Sequence, residues 1–357
     1  MSLDQNQFLD ALRGILEPST QRDVVKLGFV RSIAFNHGVV QVDYQLPPAL
    51  ATQQFIRMLS DQTTTALTAL PGVTHVNVDC AALPPPPPPL RGVKNIVAVG
   101  AGKGGVGKST VAVLAAVGLA RMGLKVGLLD GDVYGPSIPK MTGTEGEAPD
   151  ADEYGRIEPL ERDGVKVLSM GHIVSADQAI VWRGPMAQKY VKEFLDRGVW
   201  EGLDYLLVDL PPGTGDIPLT LAQSVPLSGA VVVCTPQDVA LLDAVKAIRM
   251  YQKLNVDVIG IVENMSYYVC PHCGKRDEIF SHGGAGRTAM ELGIPMLGEI
   301  PLNIGIRVEG DAGSPSRAFT HADPAVRAAL EAFCKRLHDE VQRRGASRTP
   351  LPQLNIR

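Results

Sequence analysis

The chain has 357 residues, a formal net charge of −4, 45% hydrophobic and 20% charged residues, and five cysteines. The charge balance offers no basic surface for nucleic acid, and no run approaches the roughly 18 apolar residues of a membrane span. Five thiols in so long a chain do not make a disulfide framework, and the opening MSLDQNQFLDALRG lacks a basic n-region and an apolar h-region. The expectation is therefore a cytoplasmic protein with reduced thiols and neither nucleic acid nor membrane as a partner.

Residues 4–16 place Phe8, Leu9, Leu12, Ile15 and Leu16 at helical spacing. Two strands are predicted at 24–35 and 39–46, joined by Asn36-His37-Gly38, a hairpin signal with glycine at the turn. A second helix is expected over 51–70 and a last strand over 73–79. The order α-β-β-α-β describes a small α+β domain spanning 1–82. Glu17-Pro18, then Asp23-Val24-Val25 and Leu27-Gly28, give this unit a resemblance to the small domain that precedes Mrp-type ATPases and occurs alone in iron–sulfur assembly factors. Many of those relatives have a cysteine after the second strand; here LPPALA (46–51) has none, and Cys80 reads as a buried or incidental thiol. Six prolines, Pro84 to Pro89, then form a semi-rigid polyproline spacer, so 83–92 is the expected linker.

From 93 to 345 apolar strand runs alternate with helical patterns, the mark of an α/β domain with a mostly parallel sheet and helices on both faces. Strands are predicted at 95–100, 124–130, 165–169, 204–209, 229–234, 257–263 and 296–300; helices at 108–122, 185–197, 217–224, 238–253 and 284–292. The acidic, glycine-containing stretch 142–164 reads as an exposed loop. A final helix begins at Asp323-Pro324, buries Val326, Leu330, Phe333, Leu337 and Val341 on one face, and is expected to end at Gly345; 346–357 reads as a disordered tail.

Between the first strand and helix of this domain lies GKGGVGKST, residues 102–110, which fits G-x-x-x-x-G-K-[ST]. A phosphate cradle needs backbone to wrap an anion closely, and Gly102, Gly104, Gly105 and Gly107 remove the Cβ atoms that would block it. The backbone N–H groups from Gly102 through Lys103, Val106 and Thr110 then face the anion, with the following helix N-terminus behind them. Lys108 is expected to reach the β- and γ-phosphates of ATP, and Ser109 to ligate Mg²⁺. Asp130 ends one strand, followed by Gly131-Asp132, and Asp209 ends another in Walker B fashion, with its carboxylate near Mg²⁺. After it, LPPGTGD (210–216) offers the Gly213 N–H as a γ-phosphate sensor. Asn264 follows a further strand; its amide matches an adenine edge, or serves as a strand-end cap.

Cys270 and Cys273 lie in CPHCG, and three chemistries compete there. One is a redox dithiol, though Gly274 and the loop-like 275–278 do not suit the helix that motif requires. Another is zinc held within one chain with His272 and His282. The third is an iron–sulfur cluster shared by the paired cysteines of two copies.

The K-G-G-V-G-K-S form of the loop, with its second lysine Lys103, resembles the deviant P-loop of dimeric ATPases that include the Min and Par proteins, the nitrogenase iron protein and the Mrp/ApbC iron–sulfur carriers. That class implies that Lys103 reaches the nucleotide of a partner subunit and that Asp132 orients the attacking water. DGDVYGPSIP (130–139), WRGP (182–185), DLPPGTGD (209–216), the Cys-x-x-Cys, FSHGGAGRTA (280–289) and GIPMLGEIPL (293–302) narrow the likeness to the Mrp/ApbC family over residues 93–315. The resemblance implies a homodimeric, slowly turning over ATPase that carries a [4Fe–4S] cluster between subunits. It also implies apoprotein acceptors and other iron–sulfur assembly factors as partners. Two other functions share the loop: a Min/Par-type positioning ATPase and an electron-transfer ATPase like the nitrogenase iron protein. The mixed charges of the last helix argue against the membrane capture of the first, and a single Cys-x-x-Cys against the second.

Overall fold

The computed structural model describes residues 5–84, 87–174, 184–270 and 272–347. The chain divides into two compact units, Met1–Pro88 with Ala151–Ile157, and Pro89–Asp150 with Glu158–Arg357, so the main division falls inside the proline run.

In the first unit α1 (Gln5–Leu12) is followed by β1 (Val30–Asn36), β2 (Val39–Leu46), α2 (Gln53–Thr68) and β3 (His75–Ala82). β1 pairs antiparallel with β2, and β2 parallel with β3. β2 alternates half-buried and buried residues, sending Val40, Val42, Tyr44 and Leu46 into a core with Phe8, Leu12, Phe55 and Leu59. The first strand begins later than the apolar run at 24 suggests. The Asp23 carboxylate accepts the Lys26 N–H at 2.8 Å, the Leu27 N–H goes to the Asp23 carbonyl, and Gly28 is left-handed at φ 69°. These bonds wind 23–28 into a turn, and Val24 enters the core from it.

The second unit continues with β4 (Asn95–Ala101), α3 (Lys108–Arg121), β5 (Val126–Asp130), α4 (Ile138–Thr142), β6 (Leu160–Arg162), β7 (Val165–Ser169), α5 (Gly184–Arg197), β8 (Tyr205–Asp209) and α6 (Asp216–Ser224). It closes with β9 (Gly229–Cys234), α7 (Asp238–Lys253), β10 (Val258–Val269), β11 (Arg276–Asp277), α8 (Gly284–Leu292), β12 (Met296–Leu302), α9 (Ile304–Asp311) and α10 (Pro324–Ser347). The sheet order is β11-β10-β9-β4-β8-β5-β7-β6, with β12 also on β10. Among the described residues of this sheet only the β6–β7 and β10–β11 pairings are antiparallel. Along β4, Val97, Val99 and Ala101 join a core with α3 and α10, while Ile96 and Ala98 of opposite parity are equally buried. A strand buried at both parities is covered on both faces, which is why it reads as a continuous apolar run.

Several expectations change. The stretch 142–164 includes the strand β6 and fully or nearly buried Thr142 and Thr144, because these hydroxyls find internal partners. α10 runs past Gly345 to Ser347; a glycine stops a helix where the chain turns left-handed, and Gly345 keeps helical geometry. The tail from 348 onward, and Trp182 and Arg183 of the WRGP motif, lie outside the described residues.

β4 lies between β8 and β9, and the chain moves to opposite sides of it through β5 and β9. This is the switch point of an open α/β sheet, where a crevice forms beyond the strands' C-terminal ends. The ends of β4, β5 and β8 meet there, and Asn264 reaches the same place from within β10.

Candidate functional site

The loop from Gly102 to Gly107 joins the end of β4 to the start of α3. Two of its glycines are dictated by neighbours: a Cβ on Gly102 would lie 2.0 Å from the Asp243 carbonyl oxygen, and one on Gly107 would lie 2.2 Å from Asn264 Nδ2. Gly107 is also left-handed at φ 78°, as is Gly105 at 81°. Val106 is buried, so only its backbone remains to face an anion. The Thr110 hydroxyl turns toward Met141 Sδ at 3.8 Å.

Lys108 is 6% exposed and its Nζ donates to Asp209 Oδ1 at 2.7 Å and to Ser109 Oγ at 3.1 Å, with Asp132 Oδ2 at 3.7 Å. Asp209 is fully buried, and its second oxygen, Oδ2, is buried without a hydrogen-bond partner among the described residues. Burial pushes the Asp209 carboxyl up and Lys108 opposes the shift; the same two causes act on Asp132. Asp130 is pushed up to about 8 by burial and by neighbouring Asp209. Its Oδ1 accepts the Asp132 N–H at 3.1 Å and its Oδ2 the Ser169 hydroxyl at 2.8 Å. The structure thus brings together Lys108, Ser109, Asp130, Asp132 and Asp209. Ser169 joins them through Asp130, a contact no sequence motif marks.

Lys103 is half-buried in the loop, and no carboxylate among the described residues pairs with it. Gly213 is left-handed at φ 94°, and its N–H donates to the Ala101 carbonyl at 2.8 Å. To meet a phosphate it must leave that carbonyl. Asn264, 6% exposed, donates its Nδ2 hydrogen to the Val106 carbonyl at 2.8 Å, so its amide braces the loop directly. The sequence offered a base contact or a strand-end cap for this residue; a brace across 158 positions is visible only in three dimensions.

β10 extends past Asn264 to Val269, well beyond the expected end at 263, and delivers Cys270. Its last residues pair with β11, Tyr268 opposite Asp277 and Val269 opposite Arg276, so 276–277 is a short strand and not loop. At the hairpin tip the Cys270 N–H goes to the Lys275 carbonyl at 2.9 Å and the Gly274 N–H to the Cys270 carbonyl at 2.8 Å. The Cys270 thiol is lowered by the backbone N–H groups of Cys273 and His272, which stabilise a thiolate. Cys270 is half-buried and Cys273 exposed. Burial pushes the three thiols outside this pair the opposite way, Cys334 to about 12, with Cys80 and Cys234 also raised. Cys80 is half-buried.

His282 does not join the cysteines. Its ring lies 3.1 Å from Arg276 Nη2 and 3.7 Å from Glu299 Oε1. Arg276 stacks 3.8 Å from the Tyr267 ring centroid. Among the described residues the one cluster of three metal-capable side chains is Glu263, His282 and Glu299, which contains neither cysteine. Glu263 is already occupied by the N–H groups of Gly283 and Ala285 and the Ser266 hydroxyl.

No helix among the described residues is long and apolar enough to cross a membrane. The sequence profile of the NUBPL iron-transfer P-loop NTPase matches residues 92–338, and that of an iron–sulfur cluster assembly protein matches 5–79. An iron–sulfur cluster carrier protein of Deinococcus radiodurans is 44% identical over 96% of this chain and 97% of its own length. One of Synechocystis is 42% identical over 95% and 98%. A nucleotide-binding protein of Archaeoglobus fulgidus, solved in complex with ADP, superposes with a TM-score of 0.57 at 40% identity, covering 65% of this chain and 90% of that one. The cell division ATPase MinD of Pyrococcus furiosus, at 23% identity and TM-score 0.52 over 69% of this chain and 99% of that one, shares the fold. With its phosphate loop at the sheet switch point and a family match across most of its length, the chain belongs to the iron–sulfur cluster carrier family of P-loop NTPases.

Proposed function

We propose that the chain works as a homodimeric, slow ATPase that holds a [4Fe–4S] cluster between Cys270 and Cys273 of two copies and passes it to apoproteins in the cytoplasm. The observation that carries this reading is the cysteine pair at the tip of the β10–β11 hairpin, with Cys270 half-buried and Cys273 exposed. One chain presents two sulfur ligands, a cluster takes four, and residues near a two-fold axis meet their own copies. Cargo held at an exposed tip is accessible to an acceptor.

Mg-ATP fits the other end of the site. The Ser109 hydroxyl and the unpartnered Asp209 Oδ2 are hard oxygen donors of the kind Mg²⁺ takes, and they would hold it. When bound, the ion would neutralise negative charge on the phosphates. Lys108, now paired with Asp209 and Asp132, transfers its charge to the phosphates. Asp132, released from Lys108, accepts a hydrogen bond from the attacking water and orients it. Lys103, which no carboxylate among the described residues pairs with, supplies positive charge to the partner's nucleotide, and backbone N–H groups at Gly102, Gly104, Gly105 and Gly107 hold the phosphate oxygens. Gly213 exchanges the Ala101 carbonyl for the γ-phosphate, which ties the 210–216 loop to nucleotide state. The unit before the proline spacer is proposed as a separate assembly-type domain.

Two experiments test the reading. Anaerobic reconstitution should give four irons and four sulfides per two chains; stoichiometric zinc on a monomer would defeat the bridging cluster. For hydrolysis, Lys103→Ala and Lys108→Ala should each be inactive, and mixing them should restore part of the turnover. No rescue despite demonstrated subunit exchange would place Lys103 within its own chain.

A further inference from the structure

A buried string of polar side chains leads away from Asp130, and none of it belongs to the phosphate loop. The Ser169 hydroxyl donates to Asp130 Oδ2 at 2.8 Å and accepts the Gly171 N–H at 3.1 Å. The Ser169 backbone N–H donates to His172 Nδ1 at 3.2 Å. Because Nδ1 accepts, the neutral ring carries its proton on Nε2, which donates to Thr144 Oγ1 at 2.8 Å. Burial, opposed by Glu147, brings His172 down to about 4, consistent with that neutral ring. Thr144 then donates to Thr142 Oγ1 at 3.0 Å, and Thr142 to the Ile138 carbonyl at 2.8 Å. Donor and acceptor roles are consistent from the ring to α4. Ser169, His172, Thr144 and Thr142 are each at most 6% exposed.

Buried polar groups are costly unless satisfied, and an apolar core would fill this space more cheaply. This string ends on the carboxylate whose other oxygen takes the Asp132 N–H, and Asp132 faces Lys108 at 3.7 Å. The Gly131 N–H, in between, donates to the Asp209 carbonyl at 2.7 Å.

We propose that Ser169, His172 and Thr144 are positioning residues of the nucleotide site: they hold the Asp130 carboxyl group in one orientation and so fix the Asp130-Gly131-Asp132 turn and the aim of the Asp132 side chain. The proposal rests on the reading that Asp132 serves ATP hydrolysis, and it adds the residues that set its geometry.

The test uses the full chain with Ser169→Ala, the isosteric Thr144→Val, and Thr144→Ser, which keeps the hydroxyl. Misplacement of a reacting group without loss of substrate binding lowers kcat and spares KM, so Ser169→Ala should lose roughly tenfold to a hundredfold in kcat with KM for ATP nearly unchanged. Thr144→Val should fall the same way, and Thr144→Ser should retain wild-type kcat. Amide exchange of residues 131–135 in nucleotide-free protein should quicken in Ser169→Ala while β4 stays protected. Wild-type kcat in Ser169→Ala, or equal losses in Thr144→Val and Thr144→Ser, would overturn the proposal. If the wild-type protein itself shows no ATP turnover, the hydrolysis reading fails, and exchange decides positioning alone. Unchanged exchange at 131–135 then overturns it, and quickening confined to that turn supports it.

Discussion

Lys108 is held by carboxylates before any nucleotide arrives, and removing it separates a structural role from a functional one. In Lys108→Ala the fully buried Asp209 loses its 2.7 Å partner, its other oxygen has none among the described residues, and Asp130 is a neighbouring acid. Breaking a buried pair from one side costs about 3–5 kcal/mol because the remaining charge stays desolvated. At roughly 2–4 °C per kcal/mol for a domain of this size, the nucleotide-free variant should melt about 6–20 °C lower than wild type. Protonation limits the cost. A carboxyl whose folded pKa is raised contributes stability that is present below its unfolded pKa and lost as pH rises through the folded value. The deficit of Lys108→Ala should therefore be largest at neutral and alkaline pH and shrink toward pH 4. Lys108→Met with Asp209→Asn removes both charges and should recover much of the loss, giving a coupling of about 0.5–3 kcal/mol. The assay is thermal unfolding without nucleotide or Mg²⁺, across pH, alongside an ATP turnover assay, in which Lys108→Ala should be inactive. An unchanged melting temperature in Lys108→Ala would refute the buried pair.

Asn264→Ala strips the Val106 carbonyl of its donor, a loss of about 1–3 kcal/mol for a buried acceptor, and should weaken ADP and GDP binding by equal factors; loss of ADP alone would mean that Asn264 reads the base and does not brace the loop. Burial pushes the Glu17 carboxyl up, but hydrogen bonds from Thr20 and Ser19 outweigh it and bring it from 4.5 down to about 2. The stabilisation this gives is present above pH 4.5 and lost as pH falls toward 2, so amide exchange at β2 should show an acid-dependent loss that Glu17→Gln lacks. Cys270→Ser and Cys273→Ser should each abolish bound iron while ADP still binds, whereas Cys80→Ala, Cys234→Ala and Cys334→Ala should retain it; a requirement for any of the last three would displace the cluster from the hairpin tip.

What the sequence made legible was whatever local pattern determines. The phosphate loop announces itself because its glycines, lysine and serine are contiguous, and β4, β5 and β8 because strands buried on both faces read as apolar runs. The late start of β1 was hidden because an Asx-type turn at Asp23 looks, as sequence, like the start of a strand rich in valine. β10 was cut short at 263 because Met265, left-handed at φ 54°, and the polar Ser266 interrupt its pattern, although pairing with β11 and β12 carries the strand on. The string from Ser169 to Thr142 was invisible for another reason. Its members come from separate segments, and single serines, threonines and histidines have no periodicity to betray burial.

The two halves of the proposed function share β10, and the order of residues along it matters. Glu263 captures the start of α8, Asn264 braces the phosphate loop, and Cys270 begins the hairpin tip six residues on, a span of about 20 Å of extended chain. Between them stands Met265, the left-handed residue, where the β10–β12 register also shifts. The Asn264 side is anchored: Glu263 is fully buried with both oxygens bonded, so movement of Val106 has no slack to absorb it there. The distal side is held by pairing with β11 and β12 and, on the surface, by Arg276 stacked on Tyr267 and 3.7 Å from Glu299. Along β10 the residues tied to the phosphate loop and to α8 therefore lie before the left-handed Met265, and the thiols lie beyond it.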